Sequence, residues 1–283
     1  MGMPASKEDA DVVLLFGGDG TIHRHLGQLV KLGLPVLVVP AGSGNDFARA
    51  LGLGRGRDSV AAWRKFCSGG DNVRAIDLGI IRAVDTGSPR AGAPSTPAQD
   101  RSASHETYFC CVAGIGLDAE VAQRANRLPR WLRGHGGYAL SLAPAIFQFA
   151  PVPIRIRTSD DANDRSPHDQ AAWTTRSDQP TILAAFANTS VYGGGMKIAP
   201  RAKMDDGLLD VCVVGRVSPL KLFCMFPTVY YGRHLGIREV EYFQAARVRV
   251  ETELPLDVYA DGEYVCRTPV EVAVRRAALK VVS

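Results

Sequence analysis

No Cys-x-x-Cys pair occurs among the six cysteines at 67, 110, 111, 212, 224 and 266. That argues against a finger-type zinc site or a redox dithiol and leaves buried free thiols in a reducing compartment as the expectation. A long apolar run is also lacking. The stretch Tyr138-Ala139-Leu140-Ser141-Leu142-Ala143-Pro144-Ala145-Ile146-Phe147-Gln148-Phe149 is too short to span a bilayer. The first eleven residues are polar and acidic, with no apolar signal core, so secretion is not indicated. Surplus charge is small, at +4 with a pI near 8.8. Such mild basicity suits an anionic small molecule or an anionic membrane surface but is too weak to argue nucleic-acid binding. Global disorder is excluded as well, because 46% of the 283 residues are hydrophobic and only 22% charged.

What the chain does have is a Gly-rich turn in a telling place. Val12-Val13-Leu14-Leu15-Phe16 reads as a buried parallel strand. Gly17-Gly18-Asp19-Gly20-Thr21 follows, and then Ile22, Leu26, Leu29 and Val30 at helical spacing. Glycine lets the backbone turn sharply and approach a bulky anion. A helix N-terminus adds unpaired N–H donors and a positive dipole end. Together they bind phosphate. Asp19 would repel a phosphate unless a divalent cation or a hydroxyl proton lies between them. A lone turn of this kind is as often only a tight turn. It is not a P-loop, because no Gly-Lys-Ser/Thr follows, and its glycine spacing is wrong for a dinucleotide fingerprint.

A second loop of the same sort shifts the balance. Val36-Leu37-Val38-Val39 is another apolar strand, and Pro40-Ala41-Gly42-Ser43-Gly44-Asn45-Asp46-Phe47-Ala48-Arg49 opens another helix. Two neighbouring parallel strands ending in Gly-rich loops share one C-terminal sheet edge, which is where open α/β sheets bind ligands.

Further along, residues 58–68 read as a helix and 73–84 as a strand. Residues 85–106 and 159–179 are polar runs that read as disordered insertions. Tyr108 to Ala113 reads as one strand meeting Gly114-Ile115-Gly116-Leu117-Asp118, which reads foremost as a structural turn. Arg124, Arg127, Arg130 and Arg133 precede the apolar stretch 138–149. That stretch reads first as a core helix, and otherwise as the wall of an acyl-chain pocket with a basic rim. Gly193-Gly194-Gly195 reads as a loop that clamps substrate or merely turns. Asp205, Asp206 and Asp210 read equally as a solvated turn or a metal site. From 181 onward strands dominate, at 182–186, 209–214, 246–250, 256–259 and 270–274, with one helical interlude at 219–231. The shift from alternating α/β to mostly β indicates a second, β-rich domain. Asp261-Gly262-Glu263 sits between two of these strands as an ordinary hairpin turn.

Five segments in order carry a resemblance: Gly17-Gly18-Asp19-Gly20-Thr21, Gly42-Ser43-Gly44-Asn45-Asp46-Phe47-Ala48-Arg49, Ile76-Asp77-Leu78-Gly79, Lys203-Met204-Asp205-Asp206-Gly207-Leu208-Leu209-Asp210 and Asp261-Gly262-Glu263. They resemble the diacylglycerol kinase catalytic-domain family, which includes bacterial lipid kinases and the sphingosine and ceramide kinases. The resemblance implies two domains, an open doubly wound α/β nucleotide-binding domain plus a β-rich sandwich domain. The first covers residues 1–75 and takes a strand back from about 266–283; the second, lipid-binding, covers 76–265. It implies an ATP-dependent lipid kinase that phosphorylates a lipid hydroxyl, diacylglycerol foremost, with ATP and Mg²⁺ as cofactors. Gly17, Gly18, Asp19, Gly20, Thr21, Gly42, Ser43 and Asn45 are then expected to hold the nucleotide. Asp19, with Asp46 and Asp77, is expected to hold catalytic Mg²⁺ through water. Asp206, with the main-chain oxygens of Lys203 and Leu208, is expected to hold a structural divalent cation. Asp261 or Glu263 is expected to take the proton of the lipid hydroxyl. The expected setting is cytoplasmic with peripheral membrane contact, without nucleic acid, and a homodimer is left open.

Two departures from the family pattern stand out. His23-Arg24 occupies the place of an Asn or His followed by Glu, so Arg24 either adds positive charge near the phosphates or weakens nucleotide placement. One further strand and helix are expected before the first loop. Their lack, with Arg24, keeps a non-catalytic nucleotide- or lipid-binding relative as one alternative, and the Gly-Gly-Asp-Gly loop, which the NAD kinase family shares, keeps a NAD kinase-like enzyme as another.

Overall fold

The computed structural model describes residues 2–84, 106–127, 144–159 and 173–283. Strand β1 (Val13–Gly17) leads into helix α1 (Asp19–Leu32), and β2 (Val36–Pro40) into α2 (Asp46–Ala50) and α3 (Gly56–Cys67). β1 and β2 pair in parallel, Val13 opposite Val36 and Gly17 opposite Pro40, so both Gly-rich turns leave the same sheet edge. α1 buries Ile22, Leu26 and Leu29, the face its 3.6-residue period dictates. β2 buries Val36, Leu37 and Val38 in succession, as a strand covered on both faces should. β1 does not. It alternates, with Leu14 exposed and Phe16 63% exposed, because its outward face is uncovered.

Two long strands tie the halves together. β3 (Val73–Ala83) and β13 (Val270–Val282) run antiparallel from Val270 opposite Ala83 to Val282 opposite Val73. The ladder is broken by a bulge between Arg275 and Leu279. Beyond the bulge, Val281 of β13 joins β2 in parallel. Before it, β13 pairs with β10 (Arg247–Thr252) in the β-rich half. The returning strand therefore serves both layers, and its first half lies with the sandwich.

The β-rich half adds β4 (Thr107–Phe109), β5 (Val112–Gly116), β6 (Val152–Ser159), β7 (Thr174–Ala187), β8 (Leu209–Gly215), β9 (Val240–Ala245), β11 (Asp257–Ala260) and β12 (Glu263–Arg267). Ile81, Phe109, Ile115, Ile154, Ile156, Phe186, Val211 and Val248 fill its interior. Helix α4 (Leu117–Arg127) leaves β5 with no intervening loop, so the turn expected at Gly114–Asp118 is instead a strand end and a helix start. The strand expected over 108–113 is two strands, bent at Cys110-Cys111. The helical interlude is two short helices, α5 (Pro219–Met225) and α6 (Pro227–Tyr230).

Of the expected insertions, 85–105 and 160–172 lie outside the described residues. Glu106 is fixed by Arg82, whose Nε donates at 2.8 Å. Ser159 ends β6, and Thr174 to Gln179 pair with it as the start of β7, so the second run is shorter than its composition indicates. The thiols are free, yet only Cys110, Cys111 and Cys212 are buried; Cys67 and Cys224 are exposed at helix surfaces. No helix among the described residues is long and apolar enough to cross a membrane.

Candidate active site

Gly18 caps α1 and lies against Gly42 of the second loop, backbone to backbone. A Cβ on Gly42 would stand 2.5 Å from the Gly18 Cα, and one on Gly18 would stand 2.8 Å from the Gly42 Cα. Only two glycines allow this approach. The loops together line one side of a cleft of about 690 Å³, with Gly17, Gly20, Thr21, Ser43 and Gly44 on its surface. Asn45 shapes the second loop from within. It adopts a left-handed φ of 55°, its Oδ1 accepts from the Gly42 N–H at 2.9 Å, and its Nδ2 donates to the Gly42 carbonyl at 2.7 Å. Its side chain is therefore spent on the loop and does not line the cleft.

Asp19 lies where the two loops meet. Its oxygens accept from the main-chain N–H groups of Asp46 and Phe47, both at 3.1 Å, so it caps α2 from across the gap. Burial raises its pKa above the ordinary value; the Phe47 and Asp46 N–H groups oppose this, and the charges of Asp46 and Asp261 add to it. Asp46 takes Arg49 at 2.7 Å and the Gly194 N–H at 2.8 Å, which draws the Gly193–Gly195 loop to the cleft rim.

The opposite wall is the β11–β12 hairpin. Asp261 and Gly262 occupy its turn with φ of 50° and 85°, the left-handed pair a type I′ turn demands. The Asp261 carboxylate is wholly enclosed. Oδ1 accepts from the N–H groups of Cys111 (2.8 Å) and Val112 (3.3 Å); Oδ2 accepts from Cys110 N–H (2.9 Å) and meets His23 Nδ1 at 3.1 Å. These N–H groups are free because the strand bends at Cys110-Cys111. Burial pulls the His23 pKa down, but its hydrogen bond to Asp261 and the charges of Asp261 and Glu263 outweigh that and raise it. Cys110 and Cys111, with sulfurs 3.9 Å apart, also lie here. Burial, their mutual contact and the Asp261 charge push the Cys110 thiol up. For Cys111 the Cys110 contact works downward, and burial with the Asp261 charge carries it to about 12. Glu263 is placed differently. It is exposed and faces the first loop, with Oε1 2.8 Å from where a Cβ on Gly20 would stand.

Residues 3–81 match the diacylglycerol kinase catalytic domain, and residues 111–283 match the YegS C-terminal NAD kinase beta sandwich-like domain. A diacylglycerol kinase of Mycobacterium tuberculosis is 33% identical over 98% of this chain and 78% of its own length. The chain belongs to the diacylglycerol kinase family. It is a lipid kinase, a phosphotransferase. A putative lipid kinase of Bacillus subtilis, YtlR, is 27% identical over 95% of this chain and 79% of its own. A solved structure of a putative diacylglycerol kinase from Bacillus anthracis shares the fold, with a TM-score of 0.70, 20% identity, and coverage of 98% of this chain and 78% of that one.

The cleft does not gather every expected residue. Asp77 is buried at the β13 bulge, where Oδ1 accepts the Ala277 N–H and Oδ2 the Gly207 N–H, each at 2.7 Å. Each oxygen thus holds a main-chain N–H, which makes Asp77 a structural pin, and it is not among the residues lining the cleft. Asp206, Lys203 and Leu208 also stand outside the cleft. Asp206 Oδ1 accepts from Leu208 N–H at 3.0 Å, closing its own turn, and the Gln244 amide reaches Asp206 and Asp210 at 3.3 Å each. Asp210 is buried and anchored by the Tyr242 hydroxyl at 2.6 Å.

The pairing of Asp118 with Tyr192 beside the cleft gave little sequence signal. Asp118, in the first turn of α4, accepts from the Tyr192 hydroxyl at 2.8 Å. This pair borders both the cleft and a narrow apolar cavity of about 60 Å³ formed by Val121, Ile146, Leu183, Leu222, Met225 and Phe226. Arg24 lines the cleft. Arg124 pairs with Glu120 and with the Gln148 amide, at 2.8 Å each. Arg130, Arg133 and 138–143 lie outside the described residues, as does the Arg127 side chain.

Proposed function

We propose that the cleft transfers the γ-phosphate of ATP to the hydroxyl of a lipid alcohol, diacylglycerol before others. One observation carries the reading: Glu263, on one domain, faces the N-terminus of α1 and its Gly-rich loop on the other. A phosphate held by the loop and a hydroxyl held by the carboxylate would then lie in line across the gap. Main-chain N–H groups of Gly17–Thr21 and Gly42–Ser43 cradle the phosphates, aided by the α1 dipole. Glu263 takes the hydroxyl proton, the lipid oxygen bonds to the γ-phosphorus, and the bond from that phosphorus to the bridging oxygen breaks to release ADP. The enclosed Asp261 is the weaker candidate for base, because main-chain N–H groups and His23 already occupy its oxygens.

Asp19 is a fitting Mg²⁺ partner. Its carboxylate offers hard oxygen ligands, and burial, with the charges of Asp46 and Asp261 adding to it, raises its pKa, so a cation nearby would be favoured. Mg²⁺, when bound, neutralises charge on the phosphates. A second divalent cation on Asp206 and the main-chain oxygens of Lys203 and Leu208 would brace the 203–208 turn. The lipid hydroxyl enters beside Asp118 and Tyr192, with its acyl chains toward the apolar cavity, from a peripherally contacted membrane.

Phosphate transfer from γ-labelled ATP with Mg²⁺ tests this, using mixed micelles of diacylglycerol, sphingosine, ceramide or monoacylglycerol and a NAD control. Labelled diacylglycerol is expected. Transfer to NAD and to no lipid overturns the reading, as does a folded protein that labels nothing.

A further inference from the structure

Helix α5 has the sequence Pro-Leu-Lys-Leu-Phe-Cys-Met, with Lys221 its one charged residue. Its inner face, Leu222 and Met225, walls the apolar cavity. Its outer face is apolar too: Leu220 is 67% exposed and Phe223 48%. A helix apolar all round belongs in an interior, yet this one lies on the surface. Phe147, 57% exposed, sets its ring 6.0 Å from that of Phe223, and Tyr231, 75% exposed, follows α6. With Tyr230 these make five of the ten large apolar side chains exposed among the described residues. Concentration of that kind marks an interaction surface.

Charge says what covers it. From Arg216 to Glu239 the chain carries four cations, Arg216, Lys221, Arg233 and Arg238, against one carboxylate, Glu239, which pairs with Lys221 at 2.6 Å, so the segment keeps a surplus of three positive charges. All four are exposed. Exposed apolar side chains in a segment with surplus positive charge match the interface of an anionic bilayer, where rings and aliphatic chains enter the headgroup boundary and cations meet lipid phosphates. We propose that the outer face of α5, with Phe147 and Tyr231, is the surface on which this kinase docks to an anionic lipid bilayer. This rests on the lipid-kinase reading, since the same helix walls the cavity assigned to the acyl chains. Docking would set that wall at the membrane, so a lipid reaches the cleft without crossing water.

Flotation of the full chain with phosphatidylglycerol–phosphatidylcholine vesicles, and with phosphatidylcholine alone, tests the surface. Wild-type protein is expected to float with the anionic vesicles and less as salt rises. The double variant Leu220→Glu, Phe223→Glu is expected to lose about a hundredfold in partitioning, from two large apolar groups no longer buried. Leu254→Glu, at an equally exposed leucine outside this span, is expected to float as wild type. An unchanged melting temperature, and an unchanged rate on monomerically dispersed short-chain diacylglycerol, show that the double variant keeps its fold and cleft. Flotation of the double variant as wild type overturns the proposal. So does its dissociation from a dimer without loss of flotation, which assigns the face to a second copy. Wild-type protein that floats but phosphorylates no lipid, while the double variant does not float, leaves the surface standing and overturns the kinase reading alone.

Discussion

Asp261 and Glu263 are two residues apart in sequence and do different work. Asp261 is buried against main-chain donors and His23, whereas Glu263 is exposed and faces Gly20. Glu263→Gln is expected to lower phosphate transfer by roughly 10²- to 10⁴-fold, the usual worth of a positioned base, with little change in melting temperature. Asp261→Asn is expected to cost about 2 kcal/mol of stability, because an amide must turn an N–H toward donors the carboxylate now satisfies. Rates and thermal melts on the two variants separate the roles. A Glu263→Gln enzyme with wild-type turnover would remove Glu263 as the base.

At the scale of elements, the proposed nucleotide site depends on two strand-to-helix turns touching at Gly18 and Gly42. The parallel register of β1 and β2 brings them level. A methyl group at position 42 has no room and must push the loops apart. Gly42→Ala is therefore expected to reduce kcat/KM for ATP about a hundredfold, the cost of misplacing a reacting group by around an ångström. Steady-state kinetics at varied ATP checks this, and wild-type values would mean that the loop contact does not position the phosphates. The same contact explains Asp19. Its carboxylate caps α2 because Gly44 leaves it space, with Oδ2 2.8 Å from where a Cβ on Gly44 would stand.

Across the whole molecule, His23 of α1 meets Asp261 of the hairpin and so joins the two halves of the cleft. The folded His23 pKa is raised from its ordinary value of 6.5. The folded state therefore holds the proton more tightly than the unfolded chain. The stabilisation is complete below about pH 6.5 and is lost as pH rises through the higher folded value. The melting temperature of wild type is expected to exceed that of His23→Gln most at mildly acidic pH, with the gap narrowing at alkaline pH. A gap that widens on raising the pH would show that the contact does not depend on His23 protonation. Asp77 contributes at the same scale by pinning the 203–208 turn and the β13 bulge where the sandwich meets the α/β layer.

Local pattern alone determined both Gly-rich turns, their strands and helices, the β-rich second half and the Asp-Gly hairpin. Each is written in residues close together, through periodicity, glycine and turn chemistry. Strands β6 and β9 have no clear sequence signature because mixed polar residues and short length hide alternation, as in Arg155 and Arg157 of β6, whose charges are paired across the sheet with Asp178 and Glu251. The roles of the acidic residues were not legible either. Asp77, Asp206 and Asp261 all look like metal or catalytic groups in sequence. Which main-chain N–H groups would claim their oxygens depends on strands up to 200 residues away, as between Asp77 and Ala277. The His23–Asp261 contact, the Asp118–Tyr192 pair and the exposed apolar face of α5 were likewise decided only by tertiary structure. A sequence states what a side chain is able to do, and the packing around it decides whether that capacity is spent on the fold or left open to a ligand.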